Sequence, residues 1–516
     1  MIYNTNDTGG VSPAAYAKPG VGKRSCTMKV HYDIAVIGAG LLGCFVARSL
    51  ARFRWSIAVF EKNSDVCTEM SKANTAILYP GYDPVPGSLK ARLNRTAMER
   101  FETLCSELGV RYQRTGSMMV SFGPRAERVI REKYQQGLQN GTEGMELLTG
   151  AEALRREPKL RSNVTGALYA SSAATLNPWE LAIAAAEHAT ANAVAFYFNS
   201  RVSAIARIDG GYKLTAGNRD YTAKAVVNCA GLFADEVSNL LNRPTFRLNT
   251  SIADYILLDK QAGGFSRHII MHEPEERGRG ATIVPTVDGN LLLGPSNEAH
   301  DDKTCFETTE QGCRFVEEVS DYVMPGIPLH LAIRRFAGIR PSIVMLDSHG
   351  QDTGQRIHDL FIQEAGHPGF INAAGIKTPG LTCCNEIGDY ISDLLLDRLG
   401  NPGRNPAFHP VREAPARFSS LPFPEQSALA AKDSAYGRIV CRCGKITEGE
   451  IRAAIRRKPG AVTLDGIKRR TGAQMGRCQG GFCTQRIIEL LASELELPVE
   501  AIVKDADHSE LLYGKL

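Results

Sequence analysis

The sequence predicts an α/β protein of two or three domains, with a parallel sheet near its N-terminus and a small helical domain near its C-terminus. At 516 residues the chain is longer than one hydrophobic core usually organises. A composition of 43% hydrophobic and 22% charged residues is typical of globular proteins. A buried strand, a glycine-rich turn and a helix follow one another from residue 32, and two close pairs of cysteines occur after residue 440.

Charge and hydropathy exclude several classes of protein. The 60 Lys and Arg residues exceed the 56 Asp and Glu residues by only four, so we expect no nucleic-acid partner. The longest apolar stretch, 34–47, is shorter than the ~20 residues of a transmembrane helix, so no membrane-spanning segment is expected. Residues 1–28 are expected to form a disordered extension without a secretory signal, which favours a cytoplasmic protein. The C-terminal Gly514-Lys515-Leu516 resembles a peroxisomal Ser-Lys-Leu signal only weakly.

The first predicted element is a Rossmann-like nucleotide-binding unit. Apolar residues 34–37 predict a buried strand, and a helical pattern follows to about residue 53. The turn between them carries glycines at G-x-G-x-x-G spacing, namely Gly38, Gly40 and Gly43. Gly38 permits a tight turn, Gly40 lets a pyrophosphate approach the backbone, and Gly43 lets the helix pack closely on the strand. A second strand, 57–60, ends in Glu61, which can bind an adenosine ribose. The motif alone does not separate FAD from NAD.

Four further segments carry a resemblance to a known family. They are SKANTA (71–76), VVNCAGLFAD (226–235), RGRGATIVPTVDGNLLLGPSNE (277–298) and FINAAGIKTPGLT (370–382). With the glycine motif, they make the chain similar to the FAD-dependent family of D-amino-acid oxidase and glycerol-3-phosphate dehydrogenase. The resemblance implies FAD as cofactor and a substrate domain built on a mixed sheet, with a hairpin at Asp288-Gly289. The residues that it implies against FAD are Ser71, Asn74, Ala230, Gly231, Gly375, Gly380, Leu381 and Thr382.

Arg340 and Lys377 are the expected substrate-binding residues. Arg340 ends a segment, 333–340, that resembles the one from which the family's arginine reaches over the flavin to hold an anionic group. Lys377 occupies a turn where glycerol-3-phosphate dehydrogenases carry a lysine, although a solvent-facing lysine is the alternative. The resemblance implies oxidation of a small anionic hydroxy compound, with glycerol 3-phosphate as the leading candidate. An L-2-hydroxy acid such as 2-hydroxyglutarate, or an amino or imino acid, is the alternative substrate.

Several departures from the family pattern lie where substrate is expected. Tyr79 replaces a usual histidine, Ala76 replaces a common glycine, and residues 251–254 replace a usual Arg-Lys-Gly stretch. The base that removes the hydroxyl proton is therefore not identified, and Tyr79 and His268 are both candidates. If these changes make the flavin face inactive, the chain would be an electron-transfer or redox-sensing subunit instead.

Two cysteine pairs near the C-terminus form a candidate cluster site. They are Cys441, Cys443, Cys478 and Cys483. The C-x-C and C-x4-C spacings resemble the bacterioferritin-associated ferredoxin (BFD) domain and differ from the C-x2-C pairs of zinc ribbons. We therefore expect a [2Fe–2S] cluster, with structural zinc as the alternative, and electron transfer to an acceptor protein or a quinone-linked partner. Within its family the chain is thus similar to the anaerobic glycerol-3-phosphate dehydrogenases.

These features predict a division of the chain. The FAD-dependent oxidoreductase is expected at 29–400, with FAD-binding segments at about 29–100, 190–245 and 365–400, and substrate segments at about 101–189 and 246–364. A linker with six prolines is expected at 401–434. The BFD-like [2Fe–2S]-binding domain is expected at 435–492, followed by a tail at 493–516. Thr447 and the acidic residues after it predict a helix N-terminus inside the BFD-like domain.

Overall fold

The computed structural model describes residues 30–272, 280–512 and 514. The predicted extension at 1–28, the first residues of the 277–298 segment and the last two residues of the Gly514-Lys515-Leu516 sequence lie outside the described residues. Within this part of the chain, no helix is both long enough and apolar enough to cross a membrane.

The strands of the described chain fall into two large and two small sheets. They are β1 (His31–Ile37), β2 (Ile57–Phe60), β3 (Ile77–Leu78), β4 (Tyr112–Arg114), β5 (Ser117–Ser121), β6 (Met145–Thr149), β7 (Gly166–Ala170), β8 (Ala174–Leu176), β9 (Ala195–Tyr197), β10 (Val202–Ile208), β11 (Gly211–Ala216), β12 (Arg219–Asn228), β13 (Phe246–Leu258), β14 (Ile269–His272), β15 (Thr282–Pro285), β16 (Leu291–Gly294), β17 (Glu298–Ala299), β18 (Ala332–Leu346), β19 (Asp352–Ile357), β20 (Phe361–Glu364), β21 (Phe370–Ala374), β22 (Ile439–Cys441) and β23 (Ile446–Thr447).

The helices cover the sheets and form most of the C-terminal part. They are α1 (Leu41–Leu50), α2 (Leu89–Leu108), α3 (Pro124–Gln139), α4 (Gly150–Arg156), α5 (Pro178–Ala191), α6 (Ala234–Asn239), α7 (Glu310–Val323), α8 (Gly380–Leu399), α9 (Phe423–Lys432), α10 (Glu448–Arg456), α11 (Leu464–Thr471) and α12 (Thr484–Leu495). Helix α5 begins after Asn177, whose side chain caps the helix by accepting hydrogen bonds from the N–H groups of Trp179 and Glu180.

The first large sheet contains the predicted nucleotide-binding unit. Its strand β1 lies parallel to β2 on one side and to β12 on the other, and β21 continues the parallel part beyond β12. Because side chains alternate along β1, Ile34 and Val36 pack in the core with α1, α5 and α8, while Ala35 and Ile37 face a second core. The predicted Rossmann-like α/β fold is confirmed.

The second large sheet is mixed, in the order β19-β18-β13-β16-β15-β14-β5-β7-β6. Its two longest strands, β13 and β18, are antiparallel neighbours, and Ser251 of β13 lies opposite Arg340 of β18. The predicted hairpin at Asp288-Gly289 is confirmed, since it joins the antiparallel strands β15 and β16. Strand β21 returns to the first sheet after β18, so the two sheets meet near the C-terminal ends of β1 and β12.

Residues 435–512 form a third unit, which we call the cluster module. Its core contains apolar residues of α10, α11 and α12, and α10 starts with a capping box formed by Thr447 and Glu450. The expectation of a tail from residue 493 is wrong, because α12 continues to Leu495 and Ile502 is buried in the module core. The predicted linker is not a free connector either. It contains α9, and its buried Arg412 pairs with Glu187 of α5 at 2.8 Å.

Ion pairs join the cluster module to the loop that follows β2. Asp65 in this loop is only 1% exposed, and its carboxylate accepts hydrogen bonds from Arg470 at 2.7 Å and from Arg469 at 3.0 Å. Burial alone would raise the pKa of Asp65, but the two arginines outweigh burial and lower this pKa. Asp505 of the module also pairs with Lys72 at 3.4 Å. The module is thus fixed to the first sheet by buried charges.

Candidate functional site

The glycine turn after β1 allows three parts of the backbone to approach closely. Gly38 has a φ of +101°, and a Cβ atom there would lie 2.5 Å from the carbonyl oxygen of Cys229. A Cβ on Gly43 would lie 1.9 Å from the carbonyl oxygen of Gly38. Both distances are too short for any side chain, so the glycines are required for β1, β12 and α1 to meet.

Glu61 closes one end of this turn. Its carboxylate accepts hydrogen bonds from the backbone N–H groups of Ala39 at 2.7 Å and Asn63 at 2.9 Å. Burial raises the pKa of Glu61, although the two N–H groups act in the opposite direction. At the start of α1, the Ser71 hydroxyl accepts a hydrogen bond from the Leu41 N–H at 2.9 Å. The turn therefore lies between a buried carboxylate and a helix N-terminus.

Two adjoining cavities open on either side of the turn. The Glu61 cavity measures about 290 Å³ and the Arg340 cavity about 450 Å³. Both are lined by Gly40, Met70, Ser71, Cys229 and Gly231, so they meet at the start of α1. The predicted cofactor residues in the Glu61 cavity are Gly38, Glu61 and Ala230. Those in the Arg340 cavity are Asn74, Gly375, Gly380 and Leu381. Gly43 and Thr382 line neither cavity.

Arg340 and Lys377 lie on the wall of the same cavity. The Lys377 ammonium group donates a hydrogen bond to the Ser342 hydroxyl at 2.8 Å. Arg340 and Ser342 are two residues apart on β18, so their side chains leave the same face of the strand. Lys133 and Asp83, on the same wall, pair with each other at 2.8 Å. Arg340 and Lys377 thus bring two positively charged side chains to one cavity.

Two tyrosines complete the wall near Arg340. Tyr79 lines the cavity, and its backbone N–H donates a hydrogen bond to the Thr382 hydroxyl at 3.0 Å. Thr382 is therefore next to the site, although it does not line the cavity. Tyr255 also lines the cavity and stacks on Phe336 with ring centroids 5.0 Å apart. Burial raises the pKa of Tyr255 to about 12, with Arg340 acting in the opposite direction.

The structure places two of the residues considered for the flavin face, His268 and Asp254, away from the lining of the Arg340 cavity. His268 does not line the Arg340 cavity, because Glu157 accepts hydrogen bonds from its ring at 3.0 Å and from its backbone N–H at 3.3 Å. Residues 251–254 were expected to face the substrate, but Asp254 is fully buried on the opposite side of β13. There it accepts hydrogen bonds from Ser296 and Thr309 at the start of α7.

The sequence did not single out His272, which lines the Arg340 cavity. His268 precedes β14 and His272 ends it, so their Cα atoms are about 13 Å apart along the strand. Both residues have the same parity, and alternation along the strand cannot distinguish them. Only the position of β14 in the sheet could have identified the histidine that reaches the cavity.

The four predicted cysteines of the module come together as two pairs. Cys443 and Cys478 are exposed, with their Sγ atoms 3.7 Å apart, which is close to the roughly 3.8 Å expected for two sulfurs on one tetrahedral metal. Cys441 and Cys483 are buried, and a hydrogen bond between these thiols lowers the pKa of Cys441. Over the described residues, no group of three or more possible ligands surrounds a single point. Two pairs suit a two-iron cluster better than one zinc ion.

Backbone N–H groups also point towards the exposed pair. The N–H groups of Phe482 and Gly480 lower the pKa of Cys478. Gly480 has a φ of +94°, a conformation in which glycine is favoured. The loop thus presents hydrogen-bond donors to sulfur, as iron–sulfur ligands require.

Comparison with protein families agrees with this geometry. A family model described as FAD dependent oxidoreductase matches residues 33–394. The chain belongs to the FAD-dependent oxidoreductase family. A second model, described as a BFD-like [2Fe-2S] binding domain, matches residues 439–493. The predicted cofactors, FAD and a [2Fe–2S] cluster, are therefore confirmed for this oxidoreductase.

Individual proteins resemble this chain more specifically than the family models do. The oxidoreductase is 40% identical to a glycerol 3-phosphate dehydrogenase of Caloramator mitchellensis, over 94% of this chain and 98% of the relative. It is 26% identical to an L-2-hydroxyglutarate dehydrogenase of Escherichia coli, over 51% of this chain and 64% of that protein. The structure of an FAD-bound L-alpha-glycerophosphate oxidase of Mycoplasma pneumoniae superimposes with a TM-score of 0.68 and 25% identity. It covers 75% of this chain and 99% of the oxidase.

The two cavities fit an extended FAD molecule. The Glu61 cavity, with its buried carboxylate, suits the adenosine half, and the glycine turn at the start of α1 suits the pyrophosphate. Helix α8 begins at Gly380 on the wall of the Arg340 cavity without a side-chain cap. Its N-terminus can stabilise negative charge on a flavin ring held there.

Proposed function

We propose that this oxidoreductase converts glycerol 3-phosphate to dihydroxyacetone phosphate. The observation that carries the proposal is the pair of cations, Arg340 and Lys377, on the wall of the cavity that suits the flavin. A phosphate dianion balances two such cations, and a planar guanidinium binds two of its oxygens at once. The 40% identity with a glycerol 3-phosphate dehydrogenase over nearly the whole chain supports the same substrate.

In the proposed reaction the substrate loses two electrons and two hydrogens. The hydrogen on C2 leaves as a hydride and the hydroxyl hydrogen leaves as a proton, so the C2 alcohol becomes a ketone. FAD supplies the hydride acceptor, and the [2Fe–2S] cluster supplies a one-electron route to an acceptor. Arg340 and Lys377 hold the phosphate so that C2 stays in register with the cofactor.

Tyr79 and His272 are the two side chains that we propose as acceptors of the hydroxyl proton. Both line the Arg340 cavity, and either residue type can act as a general base when it lies within hydrogen-bond reach of the substrate. The variants Tyr79→Phe and His272→Gln separate the two candidates. Loss of the base is expected to lower kcat by about 100-fold or more and to change the pH profile of kcat/KM.

The substrate is tested by steady-state turnover with an artificial dye as electron acceptor. Glycerol 3-phosphate, L-2-hydroxyglutarate, L-proline and glycine are compared under the same conditions. We expect the highest kcat/KM for glycerol 3-phosphate. Turnover of hydroxyglutarate without turnover of glycerol 3-phosphate would contradict the proposal, and a flavin that no donor reduces would indicate an electron-transfer subunit instead.

We also propose that electrons leave through the cluster module, residues 435–512, to a separate acceptor. The exposure of Cys443 and Cys478 supports an exit at this surface, because short distances favour electron transfer between proteins. The acceptor can be a protein or a quinone-linked partner. The charge and polarity of the surface around the cysteines help to distinguish these two kinds of acceptor.

A further inference from the structure

The exposed cysteine pair lies in a surface of unusual composition, which we call the cluster face. It consists of Arg442, Cys443, Lys445, Arg477, Cys478 and Phe482, all of which are exposed. Phe482 is 55% exposed, although large aromatic side chains are usually well buried. The segments 441–447 and 472–488, which contain all six residues, include no Asp or Glu. The surface around the cysteines is therefore cationic with one apolar side chain.

The cations of the cluster face have few partners of opposite charge. Arg442 lies over the Phe482 ring, 4.2 Å from its centroid, and this contact holds both side chains at the surface. Arg477 reaches Asp259 at 3.4 Å, but its side chain is still 63% exposed. The Asp259 side chain is 11% exposed, but most of the Arg477 side chain faces solvent, so Arg477 can also interact with another anion.

The arginine and lysine side chains of the cluster face are exposed to solvent, so an anionic partner can reach them.

We propose that the cluster face is the docking surface for an acidic electron-acceptor protein. This inference rests on the proposed exit of electrons through the cluster module. A complementary negative surface would be steered to the cations, and Phe482 would supply the apolar centre of a small interface. Electron-transfer complexes of this kind are small and short-lived, which suits six exposed residues. A flat exposed surface suits a protein better than a free quinone, which needs an enclosing pocket.

The test measures binding of the FAD- and cluster-loaded protein to immobilised carriers by surface plasmon resonance. The probes are an acidic [2Fe–2S] ferredoxin, a basic c-type cytochrome and vesicles rich in phosphatidylserine. We expect binding to the ferredoxin that weakens about tenfold or more as NaCl rises from about 50 to about 300 mM. We expect no binding to the cytochrome.

The double variant Arg442→Glu/Lys445→Glu is expected to weaken ferredoxin binding by about tenfold or more and to create affinity for the basic cytochrome. The matched control is Arg243→Glu, an exposed arginine after α6, which should change binding by less than about twofold. The visible spectrum of each variant verifies that the cluster is present. If the double variant loses its cluster, Arg477→Glu and Phe482→Ala test the same surface, and each should weaken binding.

Three results would overturn the inference. They are unchanged ferredoxin binding in the cluster-loaded variants, equal binding of the acidic and basic carriers, and charge-dependent binding to the vesicles but not to the ferredoxin. None of these measurements needs a substrate. Failure of the proposed substrate would appear in the dye assay alone, so the two failures are distinguishable.

Discussion

At the scale of single residues, Arg340 is the side chain that the proposed function places against the substrate phosphate. Replacing Arg340 by Met removes the planar group that can hold two phosphate oxygens, while the volume of the side chain is largely kept. We expect kcat/KM for glycerol 3-phosphate in the dye assay to fall by about 100-fold or more, because one partner of a charged contact is lost.

The matched control for Arg340→Met is Arg335→Met on the same strand. Arg335 is exposed and pairs with Glu317 at 2.7 Å, away from the cavity lining. Because an exposed ion pair contributes little, kcat/KM should change by less than about twofold. A similar loss in both variants would show that Arg340 acts through the stability of β18 and not through substrate.

Gly43 is the residue at which an added methyl group should be most damaging to FAD binding. In Gly43→Ala the new Cβ would overlap the Gly38 carbonyl oxygen, so α1 must move away from β1. Overpacking of this kind costs about 3 kcal/mol, and we expect both a lower Tm and a lower ratio of flavin to protein. Gly264→Ala is the control, because nothing lies within 4 Å of its Cβ position. Normal flavin content in Gly43→Ala would contradict the role given to this glycine.

Residue roles could be predicted from the sequence where the chemistry is local. The glycine turn and Glu61 lie within 24 residues, and the conformation of that segment is dictated by its own sequence. The sequence could not show that His268 contacts Glu157, which is 111 residues away. Nor could it show which face Asp254 occupies, because strand parity alone does not say which face of β13 meets the cavity.

At the scale of elements, the most charge-sensitive contact joins α11 to residues 61–72, which we call the β2 loop. Asp65→Asn would leave the buried Arg470 without its carboxylate, while Arg469 would keep only Asp505, at 2.8 Å. Removing one partner of a buried ion pair typically costs about 3–5 kcal/mol. We expect a lower Tm in thermal unfolding followed by circular dichroism, with the cluster module detaching first.

Acid should weaken the same contact. The pKa of Asp65 is lower in the folded protein than in the unfolded chain. As the pH falls, the carboxylate is therefore protonated first in the unfolded chain and stays charged longer in the folded protein. Its contribution to stability is therefore complete above about pH 4 and is lost as the pH falls further. Asp65→Asn should remove this part of the acid dependence of Tm.

The control for Asp65→Asn is Asp220→Asn in the exposed hairpin of β11 and β12. Asp220 pairs with Lys213 at 2.7 Å on the surface, and its removal should leave Tm unchanged. Equal loss of Tm in both variants would mean that burial of the Asp65 group has no special effect on stability.

Elements with strong local signals can be predicted from the sequence. Helix α10 begins after Thr447 as predicted, with a capping box. Helix α9 and the residues after α12 were not predicted, because proline content and weak periodicity obscure a short helix. Their positions are set by distant partners, as Arg412 shows with Glu187.

At the scale of the whole molecule, substrate oxidation and electron exit should be separable. In Cys478→Ser the cluster loses one of its four ligands, while the FAD cavities, built from other parts of the chain, remain. We expect loss of iron and acid-labile sulfide, retention of FAD, and dye reduction at about the wild-type rate. Reduction of a protein acceptor should be lost.

Cys305→Ser is the control for Cys478→Ser, because Cys305 is a partly exposed cysteine outside the module. It should keep its full iron and sulfide content. Zinc in the wild-type protein, in place of iron and sulfide, would contradict the assignment of the cluster.

The arrangement of the three units could not be predicted from sequence. Patterns within the chain indicate each unit separately, but the contact between Asp65 and Arg469 joins residues 404 positions apart. No local sequence pattern specifies such a contact, because it forms between the surfaces of units that are already folded.

The β2 loop, residues 61–72, belongs to two sites at once. Its residues line the Glu61 cavity, and its Asp65 and Lys72 hold the cluster module. If FAD orders this loop, it also strengthens attachment of the cluster module. By thermodynamic linkage, attachment of the module then strengthens FAD binding by the same factor. An enzyme stripped of flavin should therefore be more easily cleaved by proteases between residues 401 and 434 than the loaded form.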